Sequence, residues 1–457
     1  KTKTAFASDR RQLIRSLSQP AAAQFKDGFF DWVYIDALHT TAALLADLEA
    51  WYPKVRPGGL ISGDDYGDRA DTELVPARRW TRNFGGVAAM PQNAWGVISA
   101  VNKFTRARGL QVHVTWMHDC YKFAAWYFTK PHPSDSRTAV PVGPDHRLFP
   151  SLPVPCRDDL AAVAEKYFRR PGGATAAEIG VFRGDFAAKN LRRWTGRYYM
   201  IDAWSFRPGD PGDKNFRGER QNEDNYNSAK TKTAFASDRR QLIRSLSQPA
   251  AAQFKDGFFD WVYIDALHTT AALLADLEAW YPKVRPGGLI SGDDYGDRAD
   301  TELVPARRWT RNFGGVAAMP QNAWGVISAV NKFTRARGLQ VHVTWMHDCY
   351  KFAAWYFTKP HPSDSRTAVP VGPDHRLFPS LPVPCRDDLA AVAEKYFRRP
   401  GGATAAEIGV FRGDFAAKNL RRWTGRYYMI DAWSFRPGDP GDKNFRGERQ
   451  NEDNYNS

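Results

Sequence analysis

The chain has 457 residues, 43% hydrophobic, 14% aromatic and 25% charged, with a formal net charge of +14. This is a globular composition, with no transmembrane run and no signal peptide. The basic residues come in scattered pairs such as Arg192-Arg193, Arg239-Arg240 and Arg307-Arg308. That reads as a solvated surface before it reads as a nucleic-acid track, and it suits an anionic cofactor or substrate equally well.

Length alone suggests about three domains, but an internal repeat overrides that prior. Lys1–Ser228 recurs without change as Lys230–Ser457, with Ala229 between, so each copy carries half of the net charge. The period is far too long for a solenoid and points to a duplicated domain with its own core. The cysteines (Cys120 and Cys156, Cys349 and Cys385) form no CxxC pair and no zinc spacing. A reduced, cytoplasmic protein is expected, with one disulfide per copy as the alternative. Because the chain opens on Lys1 and not on Met, it is expected to be a piece of a longer protein.

Residues 1–131 contain one strand–helix–strand unit, Phe30 to Asp65, and close on a sheet-ending strand, Ala124 to Pro131. The Pro-rich polar stretch from Pro131 to Pro155 reads as a linker or arm. Asp158-Asp159 can cap a helix through Phe168, which Gly172-Gly173 ends. Ala174–Val181 is a strand, about Phe186–Trp194 a helix, and Tyr198–Ile201 a strand ending at Asp202. Together they make a βαβ unit, one half of a doubly wound sheet. Residues 205–228 read as a polar loop over a site, passing into a helix from about Glu223 to Ala236. Arg240–Arg244 is a third strand.

Phe259–Asp265 is a β-branched and aromatic run of the buried parallel type. A helical pattern follows from about Thr270 to Val284, stopped by Pro286-Gly287-Gly288, and a short strand, Leu289–Ser291, delivers Asp293 and Asp294. Beyond a short helix near Arg307 and a firmer one over about Val326–Arg337, Leu339–Trp345 and Phe352–Phe357 alternate like a terminal antiparallel pair. The natural module therefore runs over 132–360. Residues 1–131 are the C-terminal half of a module and 361–457 the N-terminal half, and these two halves are expected to pair.

Two features carry chemistry. Glu178-Ile-Gly180-Val-Phe-Arg-Gly184-Asp185 sits at a strand-to-helix turn, where glycines let the backbone approach a ligand and the helix start offers N–H groups to an anion. Asp202 ends the next strand, where an acid usually holds ribose hydroxyls. Singly these are a structural turn and a cap; jointly they favour a nucleotide-type cofactor. The glycine spacing is not that of nicotinamide dehydrogenases.

On these residues the chain resembles the class I S-adenosylmethionine-dependent methyltransferases. E-I-G-V-F-R-G-D is similar to their first motif, Y-Y-M-I-D-A-W to their second and F-D-W-V-Y-I-D-A-L-H to their fourth. V-R-P-G-G is similar to the entry of their fifth strand, and the likeness covers nearly all of 155–360. It implies an α/β fold: a doubly wound, Rossmann-like seven-stranded sheet with an antiparallel last strand, here in a duplicated chain. It implies S-adenosyl-L-methionine as cofactor, held by Glu178, Gly180, Gly184 and Asp202, with Ser247 and Gln248 at the adenine position. Trp204 is a lesser candidate for the cofactor or its lid.

The pattern Y-I-D-A-x-H … G-G-x-x-x-G-D-D-Y is most similar to small-molecule O-methyltransferases of the macrocin type (methyltransferase domain 24), which hold Mg2+ with three acids. By that resemblance Asp265, Asp293 and Asp294 are the metal ligands. Hard oxygen ligands at a strand edge suit Mg2+ on chemical grounds too, the plain alternative being a capping Asp294 and a solvated Asp293. His268, just past Asp265, is a candidate general base with an ordinary pKa of about 6.5, or a helix-capping histidine. In the macrocin type the base is an acid two positions after the first ligand, where this chain has Leu267.

The second site would combine Glu407, Gly409, Gly413 and Asp431 with Asp36, His39, Asp64 and Asp65. His342, His347 and Cys349 share no metal spacing and read as structural. The expected activity is Mg2+-assisted methyl transfer to a small-molecule hydroxyl, in a pocket shaped by loops 205–228 and 296–323. An RNA or protein acceptor, or a non-catalytic tandem scaffold, are the alternatives. No membrane or nucleic-acid partner is expected; a homo-oligomer is an option beside the pairing of the terminal halves.

Overall fold

All six residues of Phe259–Ile264 are buried, and this apolar run sets the middle of a sheet. The structure is a computed structural model that describes residues 2–66, 96–115, 124–132, 153–205, 219–295, 325–344, 352–360 and 382–433. It divides into two compact units, one made of Lys1–Gly143 with Pro373–Ser457 and the other of Pro144–Gly372.

In chain order, the first stretch holds β1 (Arg11–Arg15), α1 (Ser18–Ala22), β2 (Phe30–Ile35), α2 (Thr41–Trp51), β3 (Val55–Tyr66), α3 (Val97–Ala107), β4 (His113–Val114) and β5 (Ala124–Thr129). The contiguous unit follows with α4 (Leu160–Phe168), β6 (Thr175–Ile179), α5 (Asp185–Leu191), β7 (Arg197–Asp202), α6 (Glu219–Lys232), β8 (Arg240–Arg244) and α7 (Ser247–Ala251). It continues with β9 (Phe259–Ile264), α8 (Thr270–Trp280), β10 (Val284–Tyr295), α9 (Val326–Ala336), β11 (His342–Val343) and β12 (Ala353–Thr358). The last stretch supplies α10 (Leu389–Phe397), β13 (Thr404–Ile408), α11 (Asp414–Leu420) and β14 (Arg426–Asp431).

The contiguous unit forms a seven-stranded sheet in the order β11-β12-β10-β9-β6-β7-β8. The pairs from β10 through β9, β6 and β7 to β8 are parallel, and β12 runs antiparallel to both β10 and β11. The doubly wound sheet with a reversed strand near its end is thus as the sequence implies. The other unit repeats it as β1-β14-β13-β2-β3-β5-β4. There β13 lies between β2 and β14, parallel to both, so its sheet draws on both ends of the chain.

Chain order reverses between β6 and β9: β7 and β8 extend to one side, β10 to the other. That switch point is where an open α/β sheet binds ligands, at the carboxyl ends of its strands. Trp261 is fully buried there, and its indole N–H donates to Ser291 Oγ at 2.9 Å, stitching β9 to β10 with an aromatic whose polar end is satisfied.

Several boundaries differ from expectation. α8 stops at Trp280, and the Pro286-Gly287-Gly288 stop lies inside β10, where the register with β9 shifts between Val284 and Leu289. α6 begins at Glu219 and gives way to a 3-10 turn at Ala234–Ala236. β11 is two residues long, His342 and Val343 pairing with Tyr356 and Trp355 of β12. Cys156 is disulfide-bonded, so the fully reduced chain is not what forms; its counterpart Cys385 is a free, buried thiol. Among the described residues no helix is long and apolar enough to cross a membrane. The expected helix near Arg307, His347, Cys349, the loop 296–323 and the first part of loop 205–228 lie outside the described residues.

Candidate active site

β6 ends at Ile179, and the chain turns at Gly180 with φ +88°. A Cβ at Gly180 would lie 1.9 Å from the Asp265 carbonyl oxygen, so only glycine lets this turn pack against the end of β9. Gly184, at φ +75°, caps α5 with Ala229 of α6 close above it: a Cβ there would lie 2.7 Å from the Ala229 Cα. Among the described residues of this unit, the non-glycine residues with positive φ are Phe182, Trp204 and Asp294. All three sit at the carboxyl edge, where backbone strain is held in place by the surrounding bonds.

Asp202 supplies most of those bonds. Its Oδ2 accepts the N–H groups of Val181 (2.9 Å) and Phe182 (2.8 Å), and its Oδ1 accepts the Trp204 N–H at 2.8 Å. The Trp204 indole N–H donates to Phe182 O at 2.9 Å. Trp204, the lesser candidate, therefore locks the glycine turn. Ribose hydroxyls are donors of the same kind as these N–H groups, so the acid at this edge fits a nucleoside cofactor by exchange of donors.

Glu178 is 1% exposed, and its Oε2 accepts the Tyr198 hydroxyl at 2.5 Å. Burial raises its carboxyl to about 8, so it is largely protonated at neutral pH. Ser247 opens α7, and its Oγ accepts the Trp280 indole N–H at 2.9 Å, while Gln248 donates to Asp276 at 2.7 Å. These bonds tie α7 to α8. His342 stacks on Tyr356.

The acids converge on His268. Its Nε2 lies 3.1 Å from Asp265 Oδ1 and 3.3 Å from Asp294 Oδ2, at the ends of β9 and β10. One ligand atom from each of Asp265, His268 and Asp294 falls within 4.8 Å of the others. Asp293 turns elsewhere: its side chain is 1% exposed and its Oδ2 takes the Arg157 guanidinium. Asp293 Oδ1 and the hydroxyl of Tyr263 are buried without hydrogen-bond partners. A divalent ion would thus find Asp265 and Asp294 as hard oxygen donors beside His268, a set that fits Mg2+.

The other unit repeats this. His39 Nε2 lies 3.2 Å from both Asp36 Oδ1 and Asp65 Oδ2, and Arg386 takes Asp64. Burial disfavours protonation of His39, but the Asp36 hydrogen bond and the charges of Asp65, Asp36 and Asp64 outweigh it and raise its pKa. Burial also raises the Asp64 carboxyl well above its usual range, with Arg386 opposing it and Asp36 and Asp65 reinforcing it. Phe411 and Trp433 donate N–H groups to Asp431 at 2.9 and 2.8 Å. Gly409 repeats the contact of Gly180, its Cβ position 1.9 Å from Asp36 O, and Glu407 is raised to about 8 by burial.

Sequence reasoning missed Arg157. It precedes the capping pair Asp158-Asp159, and 136 positions separate it from Asp293. A cation beside two acids at a helix start gave no sign of facing the strand edge.

The sequence profile of the methyltransferase domain 24 family, described as a methyltransferase domain, matches residues 1–66 and 177–295. The chain carries methyltransferase-domain sequence in both units. The matched stretches include both acid clusters and the glycine turn of the contiguous unit. No curated protein matches the chain. Among solved structures it is similar to an O-methyltransferase from Bacillus cereus in complex with SAH (16% identity, 44% of this chain and 78% of that chain covered, TM-score 0.28). It is also similar to the O-methyltransferase TomG from Streptomyces achromogenes in complex with SAM (15% identity, 44% and 77% covered, TM-score 0.29).

Proposed function

We propose that this methyltransferase transfers the methyl group of S-adenosylmethionine to a hydroxyl oxygen of a small molecule, with a divalent ion such as Mg2+ at each acid cluster. The observation that carries this reading is the backbone contact between Gly180 and Asp265. It sets the turn suited to the cofactor directly beside the cluster suited to the acceptor, as an in-line transfer requires.

The cofactor supplies an electrophilic methyl group, and a divalent ion would supply Lewis acidity to the acceptor oxygen. The chain's own residues do the rest. Asp202 accepts donors from the nucleoside, and the turn Gly180–Gly184 sets its depth. Asp265 and Asp294 would hold the ion, and His268, whose Nε2–H donates to Asp265, accepts the acceptor's hydroxyl proton at its other ring nitrogen, Nδ1. Asp265 orients the ring and stabilises the imidazolium that forms. The scattered basic charge supports a small acceptor over RNA.

The test is calorimetric titration of S-adenosylmethionine into the full chain, with Mg2+ and then EDTA, followed by release of the demethylated cofactor in the presence of a panel of small hydroxyl compounds. Cofactor binding in both conditions, with turnover abolished by EDTA, is expected. Turnover that survives EDTA overturns the metal role; a folded chain that binds no cofactor overturns the assignment of Asp202 and the glycine turn.

A further inference from the structure

Between two paired points, β10 carries one residue more than β12. Gly292 pairs with Trp355 and Tyr295 with Ala353, so Asp293 and Asp294 together stand opposite Ala354. This is a β-bulge, a device that re-aims side chains where a strand meets a site. Parallel pairing with β9 stops at Gly292, so beyond it β10 is held from the β12 side. Asp294 takes the left-handed angle of the bulge, φ +59°. Adjacent residues thereby serve one edge: Asp294 reaches His268, and Asp293 reaches Arg157, which stands 3.9 Å from Asp265 Oδ2.

Two buried side chains close the bulge, one at each end. At its start the Trp355 indole N–H donates to the Asp293 carbonyl at 3.1 Å, and the Trp355 ring fills the space over Gly292, where a Cβ would collide with it. At its end the Tyr295 hydroxyl donates to Asn331 Oδ1 of α9 at 2.7 Å. The other unit repeats the arrangement. Gly63 pairs with Trp126 and Tyr66 with Ala124, and Asp65 has φ +58°. Trp126 donates to Asp64 O at 3.1 Å and Tyr66 to Asn102 Oδ1 at 2.7 Å.

A left-handed aspartate persists only where its surroundings over-determine it. We propose that Trp355 and Tyr295, with their copies Trp126 and Tyr66, are positioning residues that clamp the bulge and so aim the acid pair at the divalent ion. This rests on the metal-assisted reading above. Without the clamp the segment relaxes toward a regular strand, where neighbouring side chains point to opposite faces and the two acids no longer serve one edge.

The test uses Mn2+ as the probe, its binding to the full chain read by electron paramagnetic resonance. Folding is checked by thermal melting and S-adenosylmethionine binding by calorimetry on the same samples. W355F with W126F removes the donor to the bulge and keeps an aromatic ring in place. Mn2+ affinity is expected to fall by roughly tenfold, with S-adenosylmethionine affinity unchanged. Y295F with Y66F, a smaller change that keeps the ring, opens the other end of the clamp and is expected to lower Mn2+ affinity by roughly threefold or more. The matched control is W261F with W32F, which loses an indole hydrogen bond to Ser291 or Ser62 in the same sheets. It is expected to melt lower while its Mn2+ affinity stays within roughly threefold of the original chain.

Unchanged Mn2+ affinity in both folded clamp variants overturns the proposal, as does an equal loss in the control, which makes the clamp merely structural. If the original chain binds S-adenosylmethionine but no Mn2+, the proposal and the metal role fall while methyl transfer stands. If it binds neither, the functional reading falls as well.

Discussion

At the residue scale, single side chains at the carboxyl edge and on the helices behind it make separable contributions that substitution can test. Gly184 turns at φ +75°, and a Cβ there would lie 2.7 Å from the Ala229 Cα of α6. Gly184→Ala incurs the strain of a left-handed alanine, about 1 kcal/mol. It also displaces that helix, so its melting temperature is expected to fall by more than the strain alone accounts for.

Asp276 and its copy Asp47 are acids buried against α7 and α1, and burial raises both carboxyls to about 6. An acid pKa raised by folding favours the folded state at low pH. The benefit is complete below the unfolded value of about 4 and is lost as the pH rises to about 6. At pH 8 each charged carboxylate therefore costs about 3 kcal/mol. Asp276→Asn with Asp47→Asn is expected to raise the melting temperature at pH 8 and leave it nearly unchanged at pH 4. An equal gain at both values would refute the charge argument.

At the scale of elements, β9 is held to its neighbours at the amino end by Asp260. This fully buried carboxylate accepts from Arg170, Arg285 and the Thr175 N–H (2.8 Å). Its pKa is lowered because those donors outweigh the burial that would raise it. Such a group stabilises above its unfolded pKa of about 4, and the effect is lost as the pH falls through its folded value. Asp260→Asn leaves two arginines without their carboxylate and is expected to cost about 3 kcal/mol at pH 7. A urea midpoint at pH 7 compared with one near pH 3, where the difference should shrink, checks it.

The elements around the edge were legible because their signals are local. A buried aromatic run ending in an acid, and a glycine turn followed by a helix, need no distant information. What stayed hidden depends on partners far along the chain. Glu178 is a buried acid in the strand, and the Tyr198 hydroxyl across the sheet and the Asn190 side chain explain why it is tolerated. Asp293 and Asp294 are neighbours in sequence, and the left-handed φ of Asp294 sends them to different partners. No periodicity reports that angle for a non-glycine residue. The Pro-Gly-Gly stretch was misread as a helix stop because β10 absorbs it as a shift in register.

At the scale of the whole molecule, the contiguous unit is a guest sequence lodged inside a host. The host's β13 occupies the middle of its sheet, between β2 and β14, yet follows β2 only after the whole contiguous unit in chain order. Until it arrives, β2 waits with an open edge whose preferred neighbour already exists elsewhere, because β6 and β13 have the same sequence, Thr-Ala-Ala-Glu-Ile. Nothing in side-chain chemistry tells β2 which copy to take; only chain connectivity and order of synthesis do. Refolding from urea is therefore expected to be slower for the full chain than for a chain ending at residue 372. At high concentration it should yield exchanged dimers in which one molecule's β13 completes another's sheet, seen by size-exclusion chromatography. A duplication with no divergence thus carries a kinetic burden: each copy is a competing template for the other.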